Sequence, residues 1–116
     1  MLNQPIRLGV YVKSSGRSSF KDWVLGLGDV VGRAAVYHRL DRLAQGNRGD
    51  SKRLGPIFEL RLHHGPGYRI YFGQDGPLLV VLLVGGDKST QSRDIKAAME
   101  HWNDYQNRKA EALASL

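Results

Sequence analysis

Apolar positions recur along the chain in two rhythms, and each change of rhythm marks a new element. Ile6 to Lys13 alternates loosely around Val10, Tyr11 and Val12, the period of a strand. The loop SSGRSS follows, with Ser18 or Ser19 placed to accept the free N–H groups of a helix. That helix carries Phe20, Trp23, Val24 and Leu27 at i, i+3, i+4 and i+7. Gly26 and Gly28 end or kink it, and Asp29 can cap a second helix reaching about Gln45. The second stripe, Val36, Leu40 and Leu43, is weaker than the first. QGNRGDSKRLG then breaks the pattern with glycines and an asparagine.

Beyond that break the period changes to two. Ile57 to His63 and Tyr68 to Phe72 flank the turn HGPG, and GQDG makes a second tight turn. Leu78 to Val84 is continuously apolar, the mark of a central strand buried on both faces. GGDKST leads into a last helix with Ser89 or Thr90 as cap, Asp94 in the first turn, and Ile95, Ala98, Met99 and Trp102 facing inward. The polar tail 106–116, after Tyr105, is expected to fray. The order β-α-α-β-β-β-α predicts an α+β domain over 1–116. Two N-terminal helices and a C-terminal helix would pack on a curved, mainly antiparallel four-stranded sheet.

The alternation divides the hairpin into two faces. Phe58, Leu60 and Leu62 share one, with Tyr68, Ile70 and Phe72, and burial makes that the core side. The other collects Glu59, Arg61, His63, Arg69 and Tyr71. An ordinary solvated face would also look like this. Arginines on adjacent strands repel, however, unless an anion lies between them, and the planar guanidinium fork suits phosphate. Arg48, Lys52 and Arg53 lie just upstream in a glycine-rich loop that can approach a backbone closely. Neither arginine of the hairpin is on the core side, so removing either is expected to leave the fold intact.

Charge sharpens this picture. Lys and Arg number 17 against 11 acids, a net charge of +6, which favours an anionic partner such as nucleic acid. No cysteine is present, so disulfides and thiolate metal sites are excluded, and the histidine spacing matches no metal motif. No cofactor is expected. The N-terminus MLNQPIRLGVYV has no long apolar run, and Leu78 to Val84 is too short to span a bilayer. A soluble cytoplasmic protein with no membrane partner is the expectation.

Metal-free cleavage of RNA needs a base for the 2′-hydroxyl, a cation on the phosphate and an acid for the leaving 5′-oxygen. Arg61 and Arg69 can be the cationic clamp, and His63 can be base or acid, since an unperturbed imidazole exchanges its proton near neutrality. Glu59 can act as base or orient Arg61, and Tyr71 can stack on a nucleobase.

RLDRLAQGNRGDSKRLG, FELR, GYRIYF and VVLLVGGDKSTQSRDIKAAMEHW together resemble the RelE/ParE toxin superfamily, closest to its HigB-type "addiction module killer" branch, over residues 6 to 105. The resemblance implies the toxin half of a type II toxin–antitoxin pair, with a small helix-turn-helix antitoxin as partner. RelE- and HigB-type members cut mRNA on the ribosome, whereas ParE-type members inhibit DNA gyrase. Arg69 falls at the arginine of the Gly-Tyr-Arg strand that contacts the scissile phosphate in RelE-like proteins. Arg61 and Lys88 fall near two further basic positions of the family. The tyrosine or histidine often found near the C-terminal end is missing from GGDKSTQSRDI, and His101 and Tyr105 lie farther on.

Overall fold

The computed structural model describes residues 5–116. The first four positions of the expected 1–116 domain lie outside the described residues. The elements run β1 (Arg7–Tyr11), α1 (Ser19–Leu25), α2 (Val30–Ala44), β2 (Ser51–Leu54), β3 (Ile57–Arg61), β4 (Tyr68–Gln74), β5 (Leu79–Asp87), a 3₁₀ turn (Lys88–Thr90), α3 (Gln91–Arg108) and β6 (Leu113–Ser115). They form one six-stranded sheet in the order β2-β3-β4-β5-β1-β6, with β1 parallel to β5 and the other pairs antiparallel.

The expected four-stranded, mainly antiparallel sheet is therefore corrected to a mixed sheet of six. Two strands escaped the periodicity for physical reasons. Ser51–Leu54 is short, charged and exposed, as edge strands tend to be because charge discourages further pairing. Leu113–Ser115 has only three residues and is held by backbone bonds to β1, not by an apolar pattern. The fraying expected of 106–116 is corrected with it. α3 continues to Arg108, whose guanidinium donates to the Val12 carbonyl at 3.1 Å, and Ala112 is fully buried.

Caps explain where the helices begin. Ser18 accepts from the Lys21 amide at 3.2 Å at the start of α1, and Asp29 accepts from the Gly32 amide at 2.9 Å at the start of α2. The sheet has helices on both sides. Phe20, Val24, Val36, Leu40 and Leu43 of α1 and α2 pack with Leu60, Ile70, Phe72, Val80 and Leu82 on one face. Ala98, Trp102 and Tyr105 of α3 pack with Tyr71, Val81, Leu83 and Val84 on the other. A bulge at Tyr71/Phe72 pairs those residues with Val84 and Leu82. It leaves Leu83 unpaired there, so that Leu83 and Val84 both serve the α3 side.

Each face is closed by a tryptophan lying on a glycine. A Cβ at Gly85 would come within 2.0 Å of Trp23, and one at Gly73 within 2.2 Å of Trp102. Trp102 is a buried core residue and Trp23 packs partly buried against the other core, and neither glycine can be replaced without displacing an indole. Among the described residues no helix is long and apolar enough to cross a membrane.

Two predictions follow from how the C-terminal segment is anchored. Deleting residues 112–116 uncovers Val10 and Tyr11, at an expected cost of at least about 1 kcal/mol, a fall in Tm of roughly 4 °C or more. An unchanged Tm would mean that the segment frays after all. The Asp104 carboxylate accepts from Arg108 and from the Tyr11 hydroxyl at 2.5 Å, which hold its pKa down at about 2. Its stabilising effect is present above the ordinary carboxylate range and is lost as pH falls from about 4 through about 2. Asp104→Asn should therefore be less stable at neutral pH and flatter in an acid titration followed by circular dichroism.

Candidate nucleic-acid interface

The basic face of the hairpin is built around one buried acid. Glu59 is 1% exposed, and three donors converge on its carboxylate. Arg61 Nε donates at 2.8 Å, the Tyr71 hydroxyl at 2.9 Å and Gln91 Nε2 at 2.7 Å. Burial alone would raise the pKa of Glu59, but the bonds from Arg61, Gln91 and Tyr71 outweigh it and hold the group ionised. Glu59 is thus the anchor of Arg61, the second of the two roles that its position suggested. A carboxylate saturated in this way is not a free base.

Tyr71 needs a firmer correction. Its ring is fully buried against α3, and burial followed by the bond to Glu59 pushes its pKa well above the ordinary tyrosine value. It cannot stack on a nucleobase. The alternation placed it on the right face, but α3 covers that face at this point.

The cations form a row. Lys52 pairs in register with Glu59, and Arg61 pairs directly with Arg69, so all four side chains belong to one face. Arg61 keeps about a third of its side chain exposed. Arg69 is 6% exposed; its Nη1 donates to the carbonyls of Gly67 at 3.2 Å and Tyr68 at 3.1 Å, and its Nε has no partner among the described residues. Lys88 is exposed and lays its stem on Gly67, where a Cβ would stand 3.0 Å from the lysine carbons. Lys52, Arg61, Arg69 and Lys88 therefore run across β2, β3, β4 and the 3₁₀ turn. The expectation that either arginine can be removed freely is corrected: Arg61 balances a buried carboxylate, and Arg69 is itself buried.

The upstream cations divide between the two faces. Arg53 pairs with Phe58, on the α2 side, and its guanidinium lies 5.5 Å from that ring. Arg48 lies over the same ring at 4.2 Å and bonds Gln74. Neither joins the row that contains Lys52. His63 follows the end of β3, where its Nε2 meets Asp50 Oδ2 at 2.5 Å, a bond that holds the Asp50 pKa below the usual range. With Arg61 it lines a pocket of about 380 Å³ at the end of the sheet beside α2. His101 and Tyr105 serve the core instead. His101 stacks on Tyr11 at 4.7 Å, and the Tyr105 hydroxyl donates to Asp75 at 2.7 Å, at the other end of β4 from Arg69. Among the described residues no three histidine, aspartate or glutamate side chains gather as a metal cage.

No protein-family model matches the chain. An uncharacterized protein of Haemophilus influenzae is 46% identical to it over 81 residues, 69% of this chain and 82% of that protein. The chain belongs to that protein's family. No activity travels with the relationship, so the geometry has to carry the function.

Sequence reasoning missed Asp50, Gln91, Arg39 and Arg42. Arg39 and Arg42 repeat at helical spacing with Ala35 and His38, a signal that was present in α2. Gln91 and Asp50 carry no local pattern, because tertiary packing alone brings them to Glu59 and His63. The buried bond from Tyr71 can be tested directly. Tyr71→Phe leaves the ring in place but removes a donor from a buried carboxylate, an expected loss of about 1–3 kcal/mol. Melting should show this loss, and an unchanged Tm would mean that the hydroxyl bond to Glu59 carries no stability.

Proposed function

We propose that this protein is the toxin half of a type II toxin–antitoxin pair, a ribosome-dependent endoribonuclease that cuts mRNA in the cytoplasm and stops translation. The observation that carries the reading is the row Lys52, Arg61, Arg69 and Lys88, beside which two buried acids, Glu59 and Asp94, are each engaged by hydrogen-bond donors. Such a row presents charge at successive strands and suits a single-stranded phosphate backbone. The resemblance of FELR, GYRIYF and GGDKST to the RelE/ParE superfamily supports the same reading.

In this reading Arg61 holds the scissile phosphate as charge builds on its oxygens, and the buried Arg69 adds its field from behind. Asp50 engages His63 Nε2 and leaves Nδ1 to take the proton of the 2′-hydroxyl. The 2′-oxygen attacks phosphorus, and the 5′-oxygen leaves with a proton. The products are a 2′,3′-cyclic phosphate and a 5′-hydroxyl. Glu59 and Tyr71 are occupied, so the row has no second free proton donor. The ribosome must then position the mRNA and complete the set, and naked RNA is cut slowly or not at all. A small helix-turn-helix antitoxin neutralises the basic face.

The same occupied groups favour a second reading, a ParE-like inhibitor of DNA gyrase that binds through the row without cutting. Purified protein on programmed ribosomes, with 3′ ends mapped, separates the two. Cuts within translated codons are expected; intact mRNA together with loss of gyrase supercoiling would move the protein to the second class.

The row is best tested at its exposed ends. Lys52→Ala and Lys88→Ala should relieve growth arrest with unchanged melting, and each lost phosphate contact should lower the salt slope of RNA binding by about 0.7–0.9. Arg61→Ala should lower stability, because it strips a buried carboxylate of its cation. Adding Glu59→Gln should recover the fold but not the toxicity. Full toxicity in both lysine variants would remove the row from the mechanism.

A further inference from the structure

The pocket beside α2 contains more positive charge than the cation row uses. Ala35, His38, Arg39 and Arg42 fall at i, i+3, i+4 and i+7 of α2 and form one wall. Arg61, Leu62, His63 and His64 form the opposite wall. The floor is Arg39, which is 9% exposed. Its Nη1 donates to the Arg48 carbonyl at 2.7 Å, and its Nη2 donates to the carbonyls of Asp50 at 3.0 Å and Arg61 at 3.3 Å. The guanidinium lies flat on Gly49, where a Cβ would stand 2.9 Å from it and where φ is +60°. Only glycine fits both conditions.

Arg39 is thus a fixed charge held by carbonyls, without a carboxylate salt bridge among the described residues. Burial and then repulsion from Arg42 lower its pKa, while Asp50 raises it in part. Arg42 is exposed and has no hydrogen bond or salt bridge to a side chain among the described residues, so its fork is unused. Asp50 is the only acid in the lining, and His63 occupies it. Arg61 is balanced by Glu59 and Asp50 by His63, so Arg39 and Arg42 are left as the charges that an anion would relieve. Leu62 and Ala35 add an apolar wall, and the rings of His38 and His64 offer flat surfaces.

We propose that this pocket binds a nucleoside phosphate, with the phosphate on Arg42 and Arg39 and the base against Leu62, His38 and His64. A volume of about 380 Å³ lies at the small end of ligand pockets and suits one nucleotide. The ligand can be a free nucleotide or one nucleotide of an RNA strand lying beyond the row, since the recognising chemistry is the same. The pocket shares Arg61 and His63 with the proposed cleavage site, but Arg39, Arg42 and His38 take no part in that chemistry, and the binding test needs no cleavage.

The test uses the purified full chain without ribosome or antitoxin. Calorimetry would measure binding of the four nucleoside 5′-monophosphates, the matching nucleosides, inorganic phosphate and a trinucleotide RNA. Monophosphates should bind at least about 10-fold tighter than both nucleosides and phosphate, because both halves of the ligand are held. Arg42→Ala should weaken that binding about 10-fold or more, the effect of one hydrogen-bonded charge. His38→Ala should weaken monophosphates but not inorganic phosphate. Both residues are exposed, so melting should not change. A trinucleotide that binds tighter than any monophosphate and is displaced by it identifies RNA as the source; a trinucleotide that binds more weakly identifies a free nucleotide. Equal affinity for nucleosides and monophosphates, or an Arg42→Ala variant that binds as wild type, overturns the proposal. Neither result depends on whether mRNA or gyrase is the target.

Discussion

The buried carboxylate of Glu59 is the constraint from which the rest of the site is organised. An ionised acid inside a protein is tolerable only when its oxygens are filled by donors. Here the donors come from three elements, Arg61 on β3, Tyr71 on β4 and Gln91 at the start of α3. Each bond fixes an element as well as a charge. The register of β3 on β4 sets Tyr71 opposite Glu59, and the same register then sets Arg61 opposite Arg69. The start of α3 cannot shift along the sheet without pulling Gln91 from the carboxylate. The position of the basic row is therefore a consequence of satisfying one acid.

The layers explain why the row is only partly open. α3 covers the Tyr71 side of the sheet with Trp102 seated on Gly73, while Trp23 on Gly85 closes the opposite side. These contacts hold the helices close to the strands, and α3 overlies the middle of the basic face. What stays open is the periphery, Lys52 on the edge strand, the outer part of Arg61, and Lys88 past the end of β5. A strand carrying charge at a sheet edge serves two ends, since it discourages unwanted pairing and extends the cationic surface.

How legible this was in the sequence depends on how local each signal is. Ser18 and Asp29 are caps because their chemistry acts within three residues. The continuous apolar run of β5 announces a central strand because burial on both faces leaves no room for polar positions. The number of strands was not legible, since β2 is a charged edge and β6 a three-residue segment with no period of its own. The weak stripe of α2 has a specific cause. Arg39 stands in its inward series, between Val36 and Leu40, and a buried arginine reads as an interruption. Tyr71 was given to the correct face and the wrong environment, because alternation assigns sides but does not say which side a distant helix will cover.

Arg39 and Glu59 show two opposite ways of burying a charge in one small domain. Glu59 is neutralised by a cation and two neutral donors, so its field is largely cancelled. Arg39 is held by carbonyl dipoles alone, so its field is directed but not cancelled, and Arg42 adds to it. Across the sheet, Arg61 and Arg69 face each other, with the buried acids Glu59 and Asp94 on the same face. Both arrangements leave like charges closer than an empty surface would favour, and an anion at either place removes that repulsion. Folding and anion binding are therefore linked in the same direction. A phosphate-bearing ligand bound as proposed at either place would stabilise the native state by mass action.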